Sequence, residues 1–329
     1  MNSTARIMST TSTPTFAERW DHILVRWGYR RDAHRVEPGL YALGHPTPAA
    51  PVFVTANYTL SFDALRTALH GIDSYILVLD TQGINVWCAA GKGTFGTEEV
   101  VRRVESTGLR DVVTHRRLIL PQLGAPGVAA HEVKRQTGFS VAYGPVRAAD
   151  LGAYMDTGTA TPEMRRVRFT LWDRLVLIPV ELVHVAVPAF VAALLLWLLA
   201  GPLAAYAAVS AILGGAVLFP ILLPWLPARD FSAKGFILGG IIASVFAVLA
   251  LVGPGEMSTP LRLGWAVAYL LAMPPVTAYL ALNFTGATTF TSRSGVKREM
   301  ATYIRPMAIL FASGVLLALG LVLVRWFGV

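Results

Sequence analysis

The fold of the first half of this chain is decided by residues 75–100, which read YILVLDTQGINVWCAAGKGTFGTEEV. The first five residues form an unbroken apolar run, typical of a strand buried on both faces. The turn Thr81-Gln82-Gly83 follows, and the pattern predicts a second, short extended piece over residues 84–87. A glycine-rich turn and a helix beginning near Thr97 complete the stretch. This order of elements predicts an α/β domain.

Strands and helices alternate through the rest of this region, which favours a mostly parallel sheet with helices packed on it. Residues 52–55, 111–115 and 140–142 have strand patterns, and residues 62–69, 128–136 and 148–154 have helix patterns. Such sheets bind ligands beyond the carboxyl ends of their strands. The residues expected at or just after strand ends, and therefore at one rim that could hold a large cofactor, are Thr55, Asn57, Cys88, Thr114 and Gln122.

Cys88 is the only cysteine among the 329 residues. If a helix begins near it, the unpaired N–H groups of the first turn stabilise an anion, and the sulfur would be available as a thiolate for a metal or an electrophile. The alternative is a small, buried apolar side chain. A single cysteine also excludes an internal disulfide and an iron–sulfur cluster held by this chain alone. Any electron supply must therefore come from a partner.

The glycine-rich turn Gly91-Lys92-Gly93-Thr94-Phe95-Gly96 fits the dinucleotide-binding pattern G-x-G-x-x-G. That fingerprint requires an acidic residue about 20 positions later, at the end of the next strand. The expected strand ends instead at Thr114-His115-Arg116, so nicotinamide or flavin binding is disfavoured. The glycines are better explained by the approach of a bulky planar ring to the backbone beside Cys88.

The second half of the chain is apolar enough to lie in a membrane. Mean hydropathy over the whole chain is +0.54, and the excess of apolar residues lies after residue 174. Stretches of about 20 apolar residues cross a bilayer core. Five are predicted: residues 175–199, 203–226, 235–252, 263–282 and 307–326.

Basic residues predict the orientation of these spans. Ten lysines and arginines lie at the side of residues 165–174, 229–234 and 293–305, against only Arg262 and Arg325 at the other side. The positive-inside rule therefore predicts a multi-pass protein of the inner (cytoplasmic) membrane, with the first domain in the cytoplasm and the C-terminus outside. Residues 1–16 contain no apolar stretch typical of a signal peptide. The net charge of +8 reflects topology, and no basic–aromatic array indicates nucleic-acid binding.

Eight residues around the cysteine, Asn85-Val86-Trp87-Cys88-Ala89-Ala90-Gly91-Lys92, resemble the cap-helix motif of the corrinoid protein of microbial mercury methylation, the HgcA family. The resemblance extends over most of the chain, and the soluble part is similar, more distantly, to the corrinoid iron–sulfur protein large subunit of the acetyl-CoA pathway. The other matching segments are VEPGLY (36–41), VTANY (54–58), FDAL (62–65), LILPQLGAPGV (118–128), YGPVRA (143–148), NFTG (283–286), TFTS (289–292) and SGV (294–296).

The resemblance implies a Rossmann-like α/β corrinoid-binding domain followed by an all-α domain of five transmembrane helices. The expected boundaries are an N-terminal tail over 1–35, the corrinoid domain over 36–157, a basic linker over 158–174 and the membrane domain over 175–329. It also implies a base-off corrinoid with Cys88 as the lower ligand of cobalt. The other implied contacts are Asn85, Val86, Trp87, Ala89, Ala90, Gly91, Lys92 and Gly93 of the cap, with Thr55, Asn57, Thr114 and Gln122 at the rim.

The function that the resemblance implies is methyl transfer from methyl-cobalt(III) corrinoid to inorganic Hg(II), which forms methylmercury. The implied partners are a ferredoxin-like protein with two 4Fe–4S clusters as reductant, and a methyl donor protein or methyltetrahydrofolate-linked methyltransferase. Two alternatives remain open. A corrinoid methyl carrier of one-carbon metabolism would share Cys88 and the fold but use another acceptor. A membrane transport or sensory protein with a nucleotide-binding domain would not use Cys88 in its function.

Overall fold

The structure, a computed structural model, describes residues 6–30, 33–254, 257–288 and 291–327. Contacts divide the chain into two units, Met1–Arg168 and Phe169–Val329. Thr289 and Phe290, which belong to the TFTS segment noted above, lie outside the described residues. Each unit has its own buried apolar clusters, so each is described by itself.

The first unit is built on a six-stranded sheet. Its strands are β1 Ile7–Thr10, β2 Gly39–Leu43, β3 Val52–Ala56, β4 Ser74–Leu79, β5 Arg117–Leu120 and β6 Ser140–Tyr143. The spatial order is β1-β2-β4-β3-β5-β6. β3 to β6 are parallel, whereas β2 is antiparallel to β4 and β1 is parallel to β2. The sheet is therefore mixed, with a parallel portion of four strands and an edge pair of opposite direction.

Helices cover both faces of this sheet. They are α1 Phe16–Arg26, α2 Thr59–Ala68, α3 Val86–Lys92, α4 Thr97–Ser106, α5 Leu109–Val112, α6 Ala130–Thr137 and α7 Leu151–Thr157. One apolar cluster joins α3, α4 and α6 to the sheet, and the other joins α2 and α7 to the opposite face. Central strands β3 and β4 are buried along their whole length, as expected for a sheet that is covered on both sides.

The parallel strands reverse their order at one point. From β3 the chain moves to β4 on one side and then returns to β5 on the other side. Ligands of open α/β sheets bind in the crevice outside the carboxyl ends of the strands at such a point. The residues that follow β3, β4 and β5 are therefore the first place to look for a site.

Two local predictions of strands were wrong, and the predicted N-terminal tail contains a strand. Residues 84–87 are not a strand, because Asn85 begins a helix instead. The predicted strand over residues 111–115 is instead the end of the short helix α5 followed by irregular chain, and the strand lies later, at β5. The β-branched pair Val112-Val113 suggested a strand, but only Val113 is fully buried. The predicted N-terminal tail contains β1, whose four residues carry little apolar signal and gain order by pairing with β2.

The second unit consists of helices: α8 Leu171–Leu175, α9 Ile178–Ala200, α10 Pro202–Leu213, α11 Phe219–Leu222, α12 Phe231–Val252, α13 Thr259–Asn283 and α14 Arg293–Phe327. A π-helical segment, Gly214–Leu218, joins α10 to α11. Within the described residues, five helical segments are long and apolar enough to cross a membrane, as the sequence predicts. They are Leu171–Ala200, Pro202–Leu222, Phe231–Val252, Thr259–Ala287 and Ser294–Phe327.

Small residues let α12 approach α13 closely. A Cβ atom added to Gly235 would lie 2.5 Å from the Cα of Ala278, and one added to Gly239 would lie 2.8 Å from the Cα of Pro274. Spacing of small residues by four is typical of tightly packed membrane helices, where contact between backbones replaces the hydrophobic effect. α13 is the most buried of the five apolar segments, so it forms the centre of this unit.

Four basic side chains cap the carboxyl ends of these helices. Carbonyl groups of the last helical turn have no partner within the helix and carry partial negative charge, so cations stabilise them. The bonds are Arg174 Nη1 to the carbonyl oxygens of Pro220 (2.8 Å) and Ile221 (2.7 Å), Lys234 Nζ to Leu223 (2.7 Å), Arg262 Nη1 to Leu251 (3.0 Å) and Gly253 (2.6 Å), and Arg325 Nη1 to Ala200 (3.1 Å). Arg262 and Arg325, the two arginines predicted to lie on the outer side of the membrane, therefore both have a structural role.

Candidate functional site

Asn57 organises the turn that follows β4. Its side-chain Oδ1 accepts three hydrogen bonds, from Thr81 N at 3.0 Å, Thr81 Oγ1 at 2.9 Å and Gly83 N at 2.9 Å. Its Nδ2 donates to Asp80 Oδ1 at 3.3 Å. Asn57 and Thr81 are both buried. One amide side chain at the end of β3 thus fixes the backbone that leads from β4 to α3.

The turn itself needs unusual backbone angles. Gln82 has a φ of 59° and Gly83 a φ of 71°, both in the left-handed region. A Cβ atom on Gly83 would lie 2.6 Å from Nε of Arg35, so glycine is required there for space as well as for conformation. The buried carboxylate of Glu99 accepts the backbone N–H of Asp80 at 2.7 Å. Side chains from three separate segments therefore hold this turn.

We expect substitution of Asn57 to loosen the turn. Asn57→Ala leaves the backbone N–H groups of Thr81 and Gly83 without an acceptor, whereas the Thr81 hydroxyl keeps Ile84 O at 2.7 Å. The loss costs about 2 kcal/mol and speeds hydrogen exchange of these two amides about 30-fold. Hydrogen exchange of the full-length protein measures this effect. Gln82→Asn is the matched control, because that side chain is exposed and asparagine tolerates positive φ. Unchanged exchange in Asn57→Ala would contradict the role given to this residue.

α3 is a short helix with one buried face and one open face. Asn85 is its N-cap, and its Oδ1 accepts the backbone N–H of Cys88 at 2.9 Å. The helix ends at Gly93, whose φ of 90° is typical of a left-handed cap. Val86, Ala89 and Ala90 face the sheet and are buried. The half-buried Cys88 and the exposed Gly91, three positions apart on the helix, lie on the opposite face.

The open face of α3 is flat next to the cysteine. A Cβ atom added to Gly91 or to Gly93 would meet no heavy atom within 4 Å. Internal packing therefore does not require glycine at position 91, where alanine would be a better helix former. The missing side chain leaves room beside Cys88 for a broad, flat group to reach the helix.

The buried side of α3 is held rigidly by the loop after β5. Phe95 is fully buried, and its backbone N–H donates to Ala89 O at 3.2 Å. A Cβ atom on Gly127 would lie 2.2 Å from Phe95 O and 3.1 Å from the Cα of Ala90. The two backbones therefore touch directly. Loop 121–129 and α3 form one packed layer above the sheet.

Two more hydrogen bonds fix that loop from its far end. Thr97 Oγ1 accepts the N–H of Ala129 at 2.9 Å, and the hydroxyl of Tyr143 donates to Val128 O at 2.6 Å. Burial raises the pKa of the Tyr143 hydroxyl above its ordinary value, so it remains a donor at neutral pH. Thr97 is the first residue of α4, close to the predicted start of this helix, and Gly96 is its N-cap.

Two polar atoms near α3 lack a partner. In the described part of the chain, Thr94 Oγ1 and Gln122 Oε1 are buried without any hydrogen bond. Thr94 lies in the loop that follows α3, and Gln122 begins a short 3₁₀ helix that packs against α3. A buried polar atom without a partner costs about 1–3 kcal/mol, and such atoms occur where a ligand or water completes the bonding. Both side chains are therefore candidates for contact with a bound molecule.

The predicted rim residues are only partly brought together. Asn57, the α3 motif with Cys88, and Gln122 lie after the carboxyl ends of β3, β4 and β5, at the crevice described above. Asn57 is used to hold the turn. Thr55 is buried in β3, and alternation along the strand puts it beside Phe53 on the face covered by α2, away from α3.

The placement of Thr114 was predicted wrongly. It precedes β5, and its N–H and hydroxyl both bond to Pro48 O, at 2.9 Å and 3.2 Å, near the start of β3. The amino end of a parallel strand lies at the opposite edge of the sheet, so Thr114 is far along the strands from Cys88. The error follows from the strand predicted over residues 111–115.

Sequence reasoning also missed several residues that shape the site. Thr81, Asp80 and Glu99 build the turn before α3, and Thr94 has an unpartnered hydroxyl beside it. Asp80-Thr81-Gln82-Gly83 is a recognisable turn signal. Glu99 reads on its own as an ordinary first-turn acid of α4, because its bond to Asp80 depends on the tertiary fold.

Comparison with known proteins finds relatives of this α/β unit. A family model described as CO dehydrogenase/acetyl-CoA synthase delta subunit matches residues 29–155. The acetyl-CoA decarbonylase/synthase complex subunit gamma of Methanopyrus kandleri is 34% identical over 128 residues, which are 38% of this chain and 27% of that protein. The corrinoid/iron-sulfur protein large subunit of Moorella thermoacetica is 28% identical over 150 residues, which are 43% of this chain and 33% of that protein.

The matched region covers less than half of the chain, and it spans only about a quarter to a third of these relatives. It includes β2 to β6 and α3, but neither α1 nor the helices of the second unit. The family model and the relatives refer to different subunits: the family model describes a delta subunit, and the Methanopyrus kandleri relative is a gamma subunit. The predicted distant similarity to the corrinoid iron–sulfur protein large subunit is confirmed, and the closer resemblance to the mercury-methylation family stays a prediction.

Proposed function

We propose that this chain is a membrane-anchored, corrinoid-dependent methyltransferase that forms methylmercury from inorganic Hg(II). One observation carries the proposal: the only cysteine stands on the open face of α3, beside a glycine with free space around it, at the strand crossover of the sheet. A relative of the same unit is named a corrinoid/iron-sulfur protein large subunit, which supports a corrinoid as the molecule bound there.

The residues around α3 fit such a cofactor. A corrin ring is broad and flat, and the open positions at Gly91 and Gly93 give it access to Cys88. Amide groups around a corrin ring are hydrogen-bond donors, and Thr94 Oγ1 and Gln122 Oε1 are acceptors without partners. Thr94, Gln122 and the outward face of α3 are thus the contacts that we assign, and Thr114 is left out.

When bound, a corrinoid supplies a cobalt ion that can carry a methyl group. Cys88 would hold that cobalt as an anionic thiolate, which donates more electron density than a neutral imidazole. Hg(II) is an electrophile and accepts a methyl group together with its bonding electrons. A thiolate ligand favours release in that form, which explains the use of cysteine at this position. Asn85 holds the first turn of α3, and so fixes where the sulfur stands.

The partners in this proposal are those that the resemblance to the mercury-methylation family implies. One cysteine is too few for a 4Fe–4S cluster, so we assign the electron supply to a partner. The resemblance implies a ferredoxin-like protein with two 4Fe–4S clusters in that role. The methyl group comes from a methyl donor protein or a methyltetrahydrofolate-linked methyltransferase. Because neither is part of this chain, the membrane unit has anchoring and partner docking as its proposed role.

A second candidate function is a corrinoid methyl carrier of one-carbon metabolism with another acceptor. It is favoured by the relatives, whose names refer to acetyl-CoA decarbonylase/synthase complexes. Purified full-length protein loaded with methylated corrinoid separates the two functions. Formation of methylmercury on addition of Hg(II) is expected for the first. Retention of the methyl group with Hg(II), and release only to a thiol or protein acceptor, would favour the second. Absence of any corrinoid absorbance would reject both.

The proposed orientation has the α/β unit in the cytoplasm and the C-terminus outside. Two of the ten basic residues on the proposed inner side, Arg174 and Lys234, cap helix ends, as do both on the outer side. Without these four residues, eight basic residues remain on the proposed inner side and none on the outer side, so the asymmetry is stronger than ten to two. We expect a phosphatase fused after residue 329 to be active and a fluorescent protein at the same place to be dark. An inactive phosphatase and a bright fluorescent protein would place the C-terminus in the cytoplasm. With the α/β unit also in the cytoplasm, the chain would then cross the membrane an even number of times.

A further inference from the structure

The first helix of the α/β unit exposes its apolar face. Phe16, Trp20, Ile23 and Trp27 follow one another at spacings of four, three and four residues, so they form one stripe along α1. Phe16 is 84% exposed, Trp20 55% and Trp27 50%. Most amphipathic helices bury this stripe against the core. α1 does the reverse, and at least half of the surface of each of these aromatic side chains is exposed.

The opposite face of α1, which is polar apart from the buried Val25, is the one that is attached. His22 Nε2 lies 2.6 Å from Oδ2 of the buried Asp63, and Glu18 Oε1 lies 2.8 Å from Nη2 of the buried Arg66. Burial alone would raise the pKa of Glu18, but the bonds from the Thr15 backbone and Arg66 lower it overall, so it is charged at neutral pH. These two contacts fix the rotation of the helix.

Basic residues border the aromatic stripe. Arg19 and Arg26 are exposed beside it on α1, and Arg30 is exposed just after it. Tryptophan prefers the interface between headgroups and acyl chains, and arginine beside such a stripe binds anionic headgroups while its stem follows apolar surface. The chemistry of this face matches an anionic lipid surface.

A short connection tethers the α/β unit to the first apolar helical segment. Only about thirteen residues, 158–170, separate α7 from α8, where the first apolar helical segment begins. Extended, they reach at most about 45 Å. Attachment this short makes weak surface binding effective, because the local concentration of lipid is high. A protein partner fits less well, since one face of an eleven-residue helix offers far less than the about 800 Å² per partner of a stable interface.

We propose that α1 lies in the interface of an anionic bilayer, with Phe16, Trp20, Ile23 and Trp27 inserted among the lipids. The helix is thus a second membrane attachment, independent of the five apolar segments and of corrinoid binding. It holds the α/β unit in one orientation to the membrane surface. Such an attachment also restricts which side of the unit a soluble partner can approach.

Full-length protein in nanodiscs of phosphatidylcholine and phosphatidylglycerol tests this inference. A fluorescent NBD group is attached to Ile23→Cys in a Cys88→Ser background, and the matched control carries it at Glu105→Cys, an exposed position on α4 across the sheet. We expect the label at 23 to be blue-shifted, protected several-fold from iodide, and quenched by lipids with a doxyl group on the acyl chain. The label at 105 should show none of these.

Adding Trp20→Ser and Trp27→Ser should abolish the protection at position 23. These side chains are exposed, so the substitutions leave the attachment of α1 through Glu18 and His22 intact. Equal iodide quenching at 23 and 105 would overturn the proposal. So would protection at 23 without quenching by doxyl lipid, because it would mean that protein covers this face.

Discussion

Cys88→Ala is expected to lower methylmercury formation at least about 100-fold while the protein still binds corrinoid. The ring would remain held by the surrounding loops and by Thr94 and Gln122, and only the anionic ligand would be lost. Cys88→Ser is the matched variant, because it keeps the volume of the side chain but not the strong donor. The measurements are corrinoid content by absorbance and methylmercury formed per corrinoid.

Cys88→His sharpens this test. Imidazole can ligate cobalt, so corrinoid binding and a six-coordinate spectrum should persist, but the ligand is neutral. We expect methyl transfer to Hg(II) to fall while methyl loading is less affected. Full mercury methylation by Cys88→Ala would show that the thiol is a small packing residue, as the alternative interpretation of the sequence has it.

Gly91→Leu is expected to abolish corrinoid binding without harm to the fold. A Cβ at this position meets no protein atom within 4 Å, so the new side chain starts in open space and extends beside Cys88. Gly91→Ala should stabilise α3 by about 0.5–1 kcal/mol, because glycine is a poor helix former, and should already weaken corrinoid binding. Stability and binding are therefore expected to change in opposite directions.

Gly152 provides the control for this pair of variants. It is also an exposed helical glycine, on α7, and a Cβ there likewise meets nothing within 4 Å. Gly152→Leu and Gly152→Ala should leave corrinoid content unchanged. Hydrogen exchange reports helix stability, and absorbance after gel filtration reports bound corrinoid. A Gly91→Leu protein with full corrinoid content would mean that the ring does not lie on this face.

Much of the architecture is predictable from sequence because it depends on long apolar patterns. The run at β4 and the five apolar helices were predicted from hydrophobicity alone. Their ends are shifted by at most about five residues, except that the last helical segment begins at Ser294 and not at residue 307. The order of elements also puts Asn57, Cys88 and Gln122 after neighbouring parallel strands. These features depend on the residues of one segment, or on the general rule that ligands bind at the carboxyl ends of parallel strands.

The features that were missed depend on contacts between distant segments. β1 has four residues and becomes a strand only beside β2, and the direction of that edge pair has no signature in either segment. α1 has an evident amphipathic pattern, but the pattern alone does not reveal that the polar face is the attached one. That depends on Asp63 and Arg66, more than 40 residues later in the chain.

The direct backbone contact between α3 and loop 121–129 has a practical consequence for protein engineering. The eight residues of the α3 motif cannot be grafted alone onto another sheet, because Gly127 and Phe95 form the floor on which the helix rests. Asn57 and Glu99 would have to accompany them, since they set the turn that delivers the chain to Asn85. The smallest transferable module is therefore assembled from three separated pieces of sequence: Asn57, residues 80–99 and loop 121–129. A search for new members by the short motif alone would collect chains that lack the means to present their cysteine.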